Sequence, residues 1–108
     1  MGSVPSRQLN LENLNGLDDA FHSKVRLGIM TILVSGSSDF TSLKERLQVT
    51  GGNLGAHLRV LEDAGYLEVD KRFVGRRPKT TYKITAPGKR AFRGYLRDLE
   101  SVIRLAAK

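Results

Sequence analysis

From Thr50 the chain runs Gly-Gly-Asn-Leu-Gly-Ala-His-Leu-Arg-Val-Leu-Glu-Asp-Ala-Gly-Tyr66, and its leucines repeat at helical spacing. Leu54, Leu58 and Leu61 stand at i, i+4 and i+7, one apolar face of a helix from about Gly51 to Ala64. Thr50 is placed to cap its start, and Gly65 to close it at the position where a left-handed backbone is wanted. Just upstream, Thr41 to Leu47 predicts a shorter helix. Ser42 and Glu45 have capping-box spacing, and Leu43 and Leu47 supply an apolar edge. Gln48-Val49 joins the two, and two short helices joined by so tight a turn have helix-turn-helix spacing.

Downstream the period changes from helix to strand. Leu67, Val69 and Phe73 share one face, with Lys71 the exception, while Glu68, Asp70 and Arg72 take the other. After Val74-Gly75-Arg76-Arg77-Pro78, Tyr82 and Ile84 alternate with Thr81, Lys83 and Thr85, so the segment predicts a two-stranded hairpin with a basic loop. Upstream, Phe21, Val25, Ile29, Ile32 and Leu33 predict one helix from Leu17 to Val34, ended by Ser35-Gly-Ser-Ser-Asp39. At the other end Thr85 caps a last helix with Pro87 in its first turn. Phe92, Tyr95, Leu96, Leu99, Val102, Ile103 and Ala106 follow in steps of three and four. The expected fold is mainly α with a small β-hairpin, an α+β winged helix-turn-helix of order α-α-α-β-β-α with a long C-terminal dimerisation helix. Its parts are a loose arm over residues 1–15, a DNA-binding domain over 16–85 and the dimerisation helix over 86–108.

Charge points to the partner. The chain of 108 residues carries a net charge of +7, unevenly placed. From Lys71 to Arg97 there are ten basic residues and no acidic one, whereas the acids gather at Asp18, Asp19, Glu45, Glu62, Asp63, Glu68 and Asp70. So lopsided a distribution on one small domain is the footprint of a polyanion, nucleic acid before membrane. Cysteine is absent and the only histidines are His22 and His57, which excludes thiolate metal sites, disulfides and a cysteine nucleophile. No apolar run approaches a membrane span, there is no signal-peptide core, and a cytoplasmic, nucleoid-associated location is expected. Catalysis has no support. The carboxylates come as sequence neighbours that diverge on a helix, and no phosphate loop or nucleophile elbow is present.

In a winged helix the third helix enters the DNA major groove N-terminal end first. With the leucines turned inward, Gly51, Gly52, Asn53, Ala56, His57, Arg59 and Val60 are left near the surface. Asn53 can pair bidentately with adenine and Ala56 can meet a thymine methyl. His57 either donates to a base or phosphate or packs beside the wing, and Arg59 reaches a phosphate. A glycine in a helix costs about 0.5–1 kcal/mol relative to alanine, so Gly51 and Gly52 together need a reason. Close approach of the helix N-terminus to the sugar-phosphate chain supplies one. On the wing, Gly75, Arg76 and Arg77 form a turn suited to a narrow minor groove, with Lys71, Arg72 and Lys79 beside it for phosphates.

These residues carry a resemblance. Thr50 to Tyr66 resembles the recognition helix and exit of the ArsR and MarR winged-helix regulators. With His22-Ser-Lys-Val-Arg26 upstream and Phe73-Val-Gly-Arg-Arg-Pro-Lys-Thr-Thr-Tyr-Lys-Ile-Thr-Ala-Pro-Gly88 downstream, the chain is more similar still to a small MarR-like family of stand-alone winged-helix DNA-binding proteins of bacteria and archaea. The resemblance spans about Leu17 to Leu99 and implies a homodimeric transcriptional regulator that holds double-stranded DNA with its third helix and wing. In many relatives a serine stands where this chain has Gly55, and the residues of ArsR-type metal sensing are missing. No cofactor is expected, and a small-molecule effector is left open. Two other readings share the pattern: an architectural protein that coats DNA by charge, and a winged-helix module that meets a protein partner.

Overall fold

The computed structural model describes residues 17–107, so the expected arm over 1–15 lies outside the described residues. The chain enters through a single 3₁₀ turn, Asp19–Phe21, capped by the Asp18 carboxylate, which accepts from the Ala20 N–H at 2.9 Å. Helix α1, Lys24–Val34, starts afresh from Ser23, whose hydroxyl accepts from the Arg26 N–H. The single helix expected from Leu17 is therefore broken at His22-Ser23. Asp18 and Ser23 offer side-chain oxygens to main-chain N–H groups that a continuous helix would have used. The break turns Phe21 into the centre of the molecule, where it is fully buried. Its ring stacks on Tyr66 and meets Phe92 and Tyr95 edge-on, with centroids 5.2–5.3 Å apart.

A two-residue strand β1, Ser38–Asp39, precedes helix α2, Phe40–Leu47. The cap of α2 is Asp39, which accepts from the Ser42 N–H at 2.7 Å, so the Ser42–Glu45 capping box is corrected: Ser42 lies inside the first turn. Gln48 adopts the left-handed conformation (φ 55°) and ends α2. Helix α3, Gly51–Asp63, is capped by Thr50, which accepts from Asn53 N–H at 3.1 Å, and buries Leu54, Leu58 and Leu61 as expected. It ends in a Schellman motif. Gly65 (φ +84°) donates to the Glu62 carbonyl and Tyr66 to the Leu61 carbonyl.

Strands β2, Leu67–Val74, and β3, Arg77–Ile84, pair antiparallel from Leu67↔Ile84 out to Val74↔Arg77. β1 pairs with the inner end of β3 (Ser38↔Tyr82, Asp39↔Thr81), giving a three-stranded sheet of order β1-β3-β2. β1 was not expected. Its two residues carry no period, and their partners lie more than forty positions away. The turn is also tighter than expected, only Gly75-Arg76, with Arg77 and Pro78 already in β3. A positive φ at Gly75 (+66°) and not at Arg76 is the pattern of a type II′ turn, which matches strand twist. Pro78 is tolerated because β1 is too short to reach it and that edge of β3 needs no N–H.

Helix α4, Ala86–Ala106, is capped by Thr85 and buries Gly88, Phe92 and Tyr95 against the chain's own core. At 21 residues it is about 30 Å long. Among the described residues the architecture is four helices and a small antiparallel sheet in the expected order, with β1 added.

Candidate nucleic-acid interface

The capped start of α3 holds its first turn at the surface. Thr50, Gly52, Asn53, Ala56, Arg59 and Val60 are exposed, while Gly51 and His57 are half-buried. Gly51 lies against the Phe40 ring, so an added Cβ would stand 3.7 Å from it, whereas Gly52 faces open space. Between α3 and the hairpin runs an open groove of about 930 Å³. Gly52, Gly55, Ala56 and Arg59 form one wall and Val69, Lys71 and Tyr82 the other. Asn53 and His57 stand outside the groove, on the flank of α3 that faces α1.

His57 does not pack beside the wing. Arg26 in α1 donates from Nη1 to His57 Nδ1 at 2.9 Å. Burial first, and the Arg26 charge second, hold the imidazole pKa below its usual value of 6.5, so at neutral pH the ring is uncharged. Arg26 is a residue that the sequence pattern passed over. The only available signal was an arginine in an otherwise apolar helical stripe.

The expected wing cations fall into two groups. Arg72 is paired with Asp70, Nε standing 2.9 Å from the carboxylate, and Lys79 lies 3.8 Å from Asp39. The Asp39 carboxyl is itself held below 3.8, chiefly by the Ser42 main-chain N–H, next by the Ser42 side chain, and least by Lys79. Lys71, Arg76 and Arg77 form no ion pair among the described residues. Gly75 and Arg76 form the tip, while Arg77 sits in the ladder opposite Val74. Phe73 was expected on the core face with Leu67 and Val69. It is 72% exposed, because β2 outruns the body of the domain.

Of the residues expected at a dimer interface, Phe92 and Tyr95 belong to the chain's own core, so the chain covers that part of the stripe itself. The break at Ser23 is the physical reason, since it swings Phe21 against both rings. Leu96 (44% exposed) and Ile103 (57%) remain uncovered, together with Ala106; Leu99 and Val102 are half-buried. Leu96 also borders a smaller groove of about 260 Å³ with Val34 and Thr31 of α1. Against Phe21, Tyr66 donates to the Asp18 carboxylate, and that bond, with burial, pushes its phenol up to about 12.

Residues 25–103 match the winged helix DNA-binding domain family. An uncharacterized protein of Methanocaldococcus jannaschii is 40% identical over 80 residues, which cover 73% of this chain and 87% of that one. The solved structure of a transcriptional regulator homologue from Pyrococcus horikoshii superposes with a TM-score of 0.76 at 35% identity, covering 86% of this chain and 95% of the other. A MarR-family transcriptional regulator of Enterococcus faecalis shares the fold with a TM-score of 0.68 at 20% identity, over 93% of this chain and 87% of its own.

Proposed function

Because the chain belongs to the winged helix DNA-binding domain family, whose members are transcriptional regulators and not enzymes, we propose that it is a sequence-specific regulator binding double-stranded DNA as a homodimer. In this reading α3 enters the major groove with Asn53 and Ala56 at base edges, Thr50 and the N–H groups of Gly51 and Gly52 at the sugar-phosphate chain, and Arg59 at a phosphate. The wing lies over the adjacent backbone or minor groove, led by Arg76 with Lys71 and Arg77. Arg72 and Lys79 exchange their carboxylate partners for phosphate.

The observation that carries the reading is the open groove between the bare, capped start of α3 and a wing whose Lys71, Arg76 and Arg77 form no ion pair among the described residues. A helix of this width with a basic hairpin alongside fits one major groove and its flanking phosphates. Leu96, Leu99, Val102, Ile103 and Ala106 of α4 supply the twofold contact, since one patch then covers itself. Binding-site selection from random duplexes is the test. The expected product is an inverted repeat with half-sites centred about 34–36 Å apart, one helical turn. Asn53→Ala should relax preference at one base pair of each half-site. A pool that shows no enrichment supports the architectural reading instead.

A further inference from the structure

The Arg26 guanidinium is fixed before it reaches His57. Its Nε donates to the Ala20 carbonyl at 2.6 Å, and its Nη2 lies 3.5 Å from the carbonyls of Asp19 and His22. These carbonyls belong to the 3₁₀ turn and its cap, and they hold the guanidinium plane by two edges. The remaining Nη1 points across 31 positions of sequence to His57 Nδ1. Guanidinium nitrogens only donate, so Nδ1 must accept with its lone pair. A neutral imidazole then carries its single proton on Nε2. Nε2 makes no hydrogen bond with the described residues, and it is not among buried atoms lacking a partner, so it is not sealed inside the half-buried ring's packing. Asn53, one turn earlier on α3, shares this flank.

We propose that Arg26 is a positioning residue for DNA readout: it locks His57 in the Nε2–H tautomer, so that α3 offers a hydrogen-bond donor there and never an acceptor. The proposal rests on the reading that α3 meets DNA. It specifies the chemistry of the contact, an acceptor atom, which is a phosphate oxygen, the N7 or O6 edge of a purine, or the O4 of a thymine. The amino groups of adenine and cytosine are refused, because they would face a second donor. Arg26 touches no DNA in this arrangement; it acts through the imidazole, as an outer partner fixes the tautomer of a metal-bound histidine.

The tautomer is measured first, on the whole chain without DNA, by two-bond ¹⁵N–¹H correlation of the histidine rings. The expected His57 pattern is a single species protonated at Nε2, with a titration midpoint below 6.5. In Arg26→Met the pattern should average toward both tautomers and the midpoint should rise. A wild-type ring protonated at Nδ1, or a spectrum indifferent to Arg26→Met, overturns the lock. Binding to the selected duplex is measured second. His57→Leu should lose about three- to tenfold, as for one hydrogen bond, and His57→Gln, which can accept from Arg26 and still donate outward, should restore binding. Arg26→Met combined with His57→Leu should lose no more than the worse single variant. Loss at one base position marks a base-edge acceptor, and uniform loss across sequences marks a phosphate. A His57→Leu protein that binds as wild type overturns the contact. A chain that binds no duplex at all overturns the functional reading, while the spectrum still decides the lock.

Discussion

Gly88 and Gly52 are both helical glycines, and the same substitution should move them in opposite directions. A Cβ on Gly88 would stand 2.4 Å from the Tyr66 carbonyl oxygen and 3.1 Å from Cγ1 of Ile84. The oxygen is main chain and already accepts from the Thr85 N–H at 3.0 Å, so it cannot swing aside as a side chain could. Overpacking costs about 1–3 kcal/mol and the weakened hydrogen bond about 1 kcal/mol more, against about 0.5–1 kcal/mol recovered from helix propensity. Gly88→Ala should therefore destabilise by about 2 kcal/mol, which lowers Tm by roughly 10 °C in a domain of this size. Gly52 has nothing within 4 Å, and Gly52→Ala should stabilise by up to about 1 kcal/mol. Its methyl group would nonetheless stand where the proposed interface brings the sugar-phosphate chain, so DNA affinity should fall as stability rises. Urea unfolding followed by circular dichroism, at one fixed protein concentration, checks both. A Gly88→Ala protein with an unchanged or higher midpoint refutes the packing argument. A Gly52→Ala protein that binds DNA as well as wild type refutes the close approach.

Leu96→Glu with Ile103→Glu should leave the chain folded but monomeric in sedimentation, because both side chains are largely exposed; Phe92→Ala should instead cost about 3–5 kcal/mol of stability, as a buried ring does. Arg76→Ala and Lys71→Ala should each flatten the salt dependence of DNA binding by about one unit, measured as the slope of log affinity against log salt. Arg72→Ala should flatten it less, since its charge is already opposed by Asp70. Because His57 has a lowered pKa in the folded chain, its contribution to stability should be complete above pH 6.5 and lost as pH falls through the folded value. Arg26 is the charged group against it, and Asp19 and His22 flank Arg26 through their carbonyls. Denaturation midpoints between pH 7.5 and 4.5 (about three units, to stay above the carboxylates) should show this decline in wild type and not in His57→Gln.

Much of the fold was legible because its signals are local. Leu54, Leu58 and Leu61 mark the inner face of α3, and Thr50 and Gly65 mark its ends, all within one helix length. The alternation on either side of Gly75, from Leu67 to Ile84, likewise declares its own hairpin. What escaped depends on distant partners. β1 exists only because Tyr82 and Thr81 come to meet it. Periodicity in α4 shows which face is apolar and not which neighbour covers it; by that signal alone Phe92 and Tyr95 suit a second copy, whereas Phe21 of the same chain encloses them. Pro78 suggested a wider loop because a proline is a turn signal unless an edge is free to take it. Residue type and position alone point to Asn53, Ala56 and the wing arginines as candidates, and the structure leaves all of them at the surface. The Arg26–His57 contact joins two elements, and its one trace in the sequence is an arginine on an apolar helical stripe.

The Thr85 hydroxyl accepts from the Gly88 N–H at 2.9 Å and donates to the Gly65 carbonyl at 2.8 Å, so one side chain ties the exit of α3 to the entrance of α4. Mechanically, that knot is a fulcrum. The end of α3 proposed to read DNA lies thirteen residues away, about 20 Å of helix. A tilt of about 10° transmitted through the knot would carry that end about 3.4 Å, close to one base-pair step when ten steps span about 34 Å. In the proposed dimer, two such arms joined through α4 would drift out of phase with a DNA repeat long before either domain lost a packing contact. Tolerance at this knot is thus an angular quantity, set by a threonine hydroxyl and the missing side chain of Gly88.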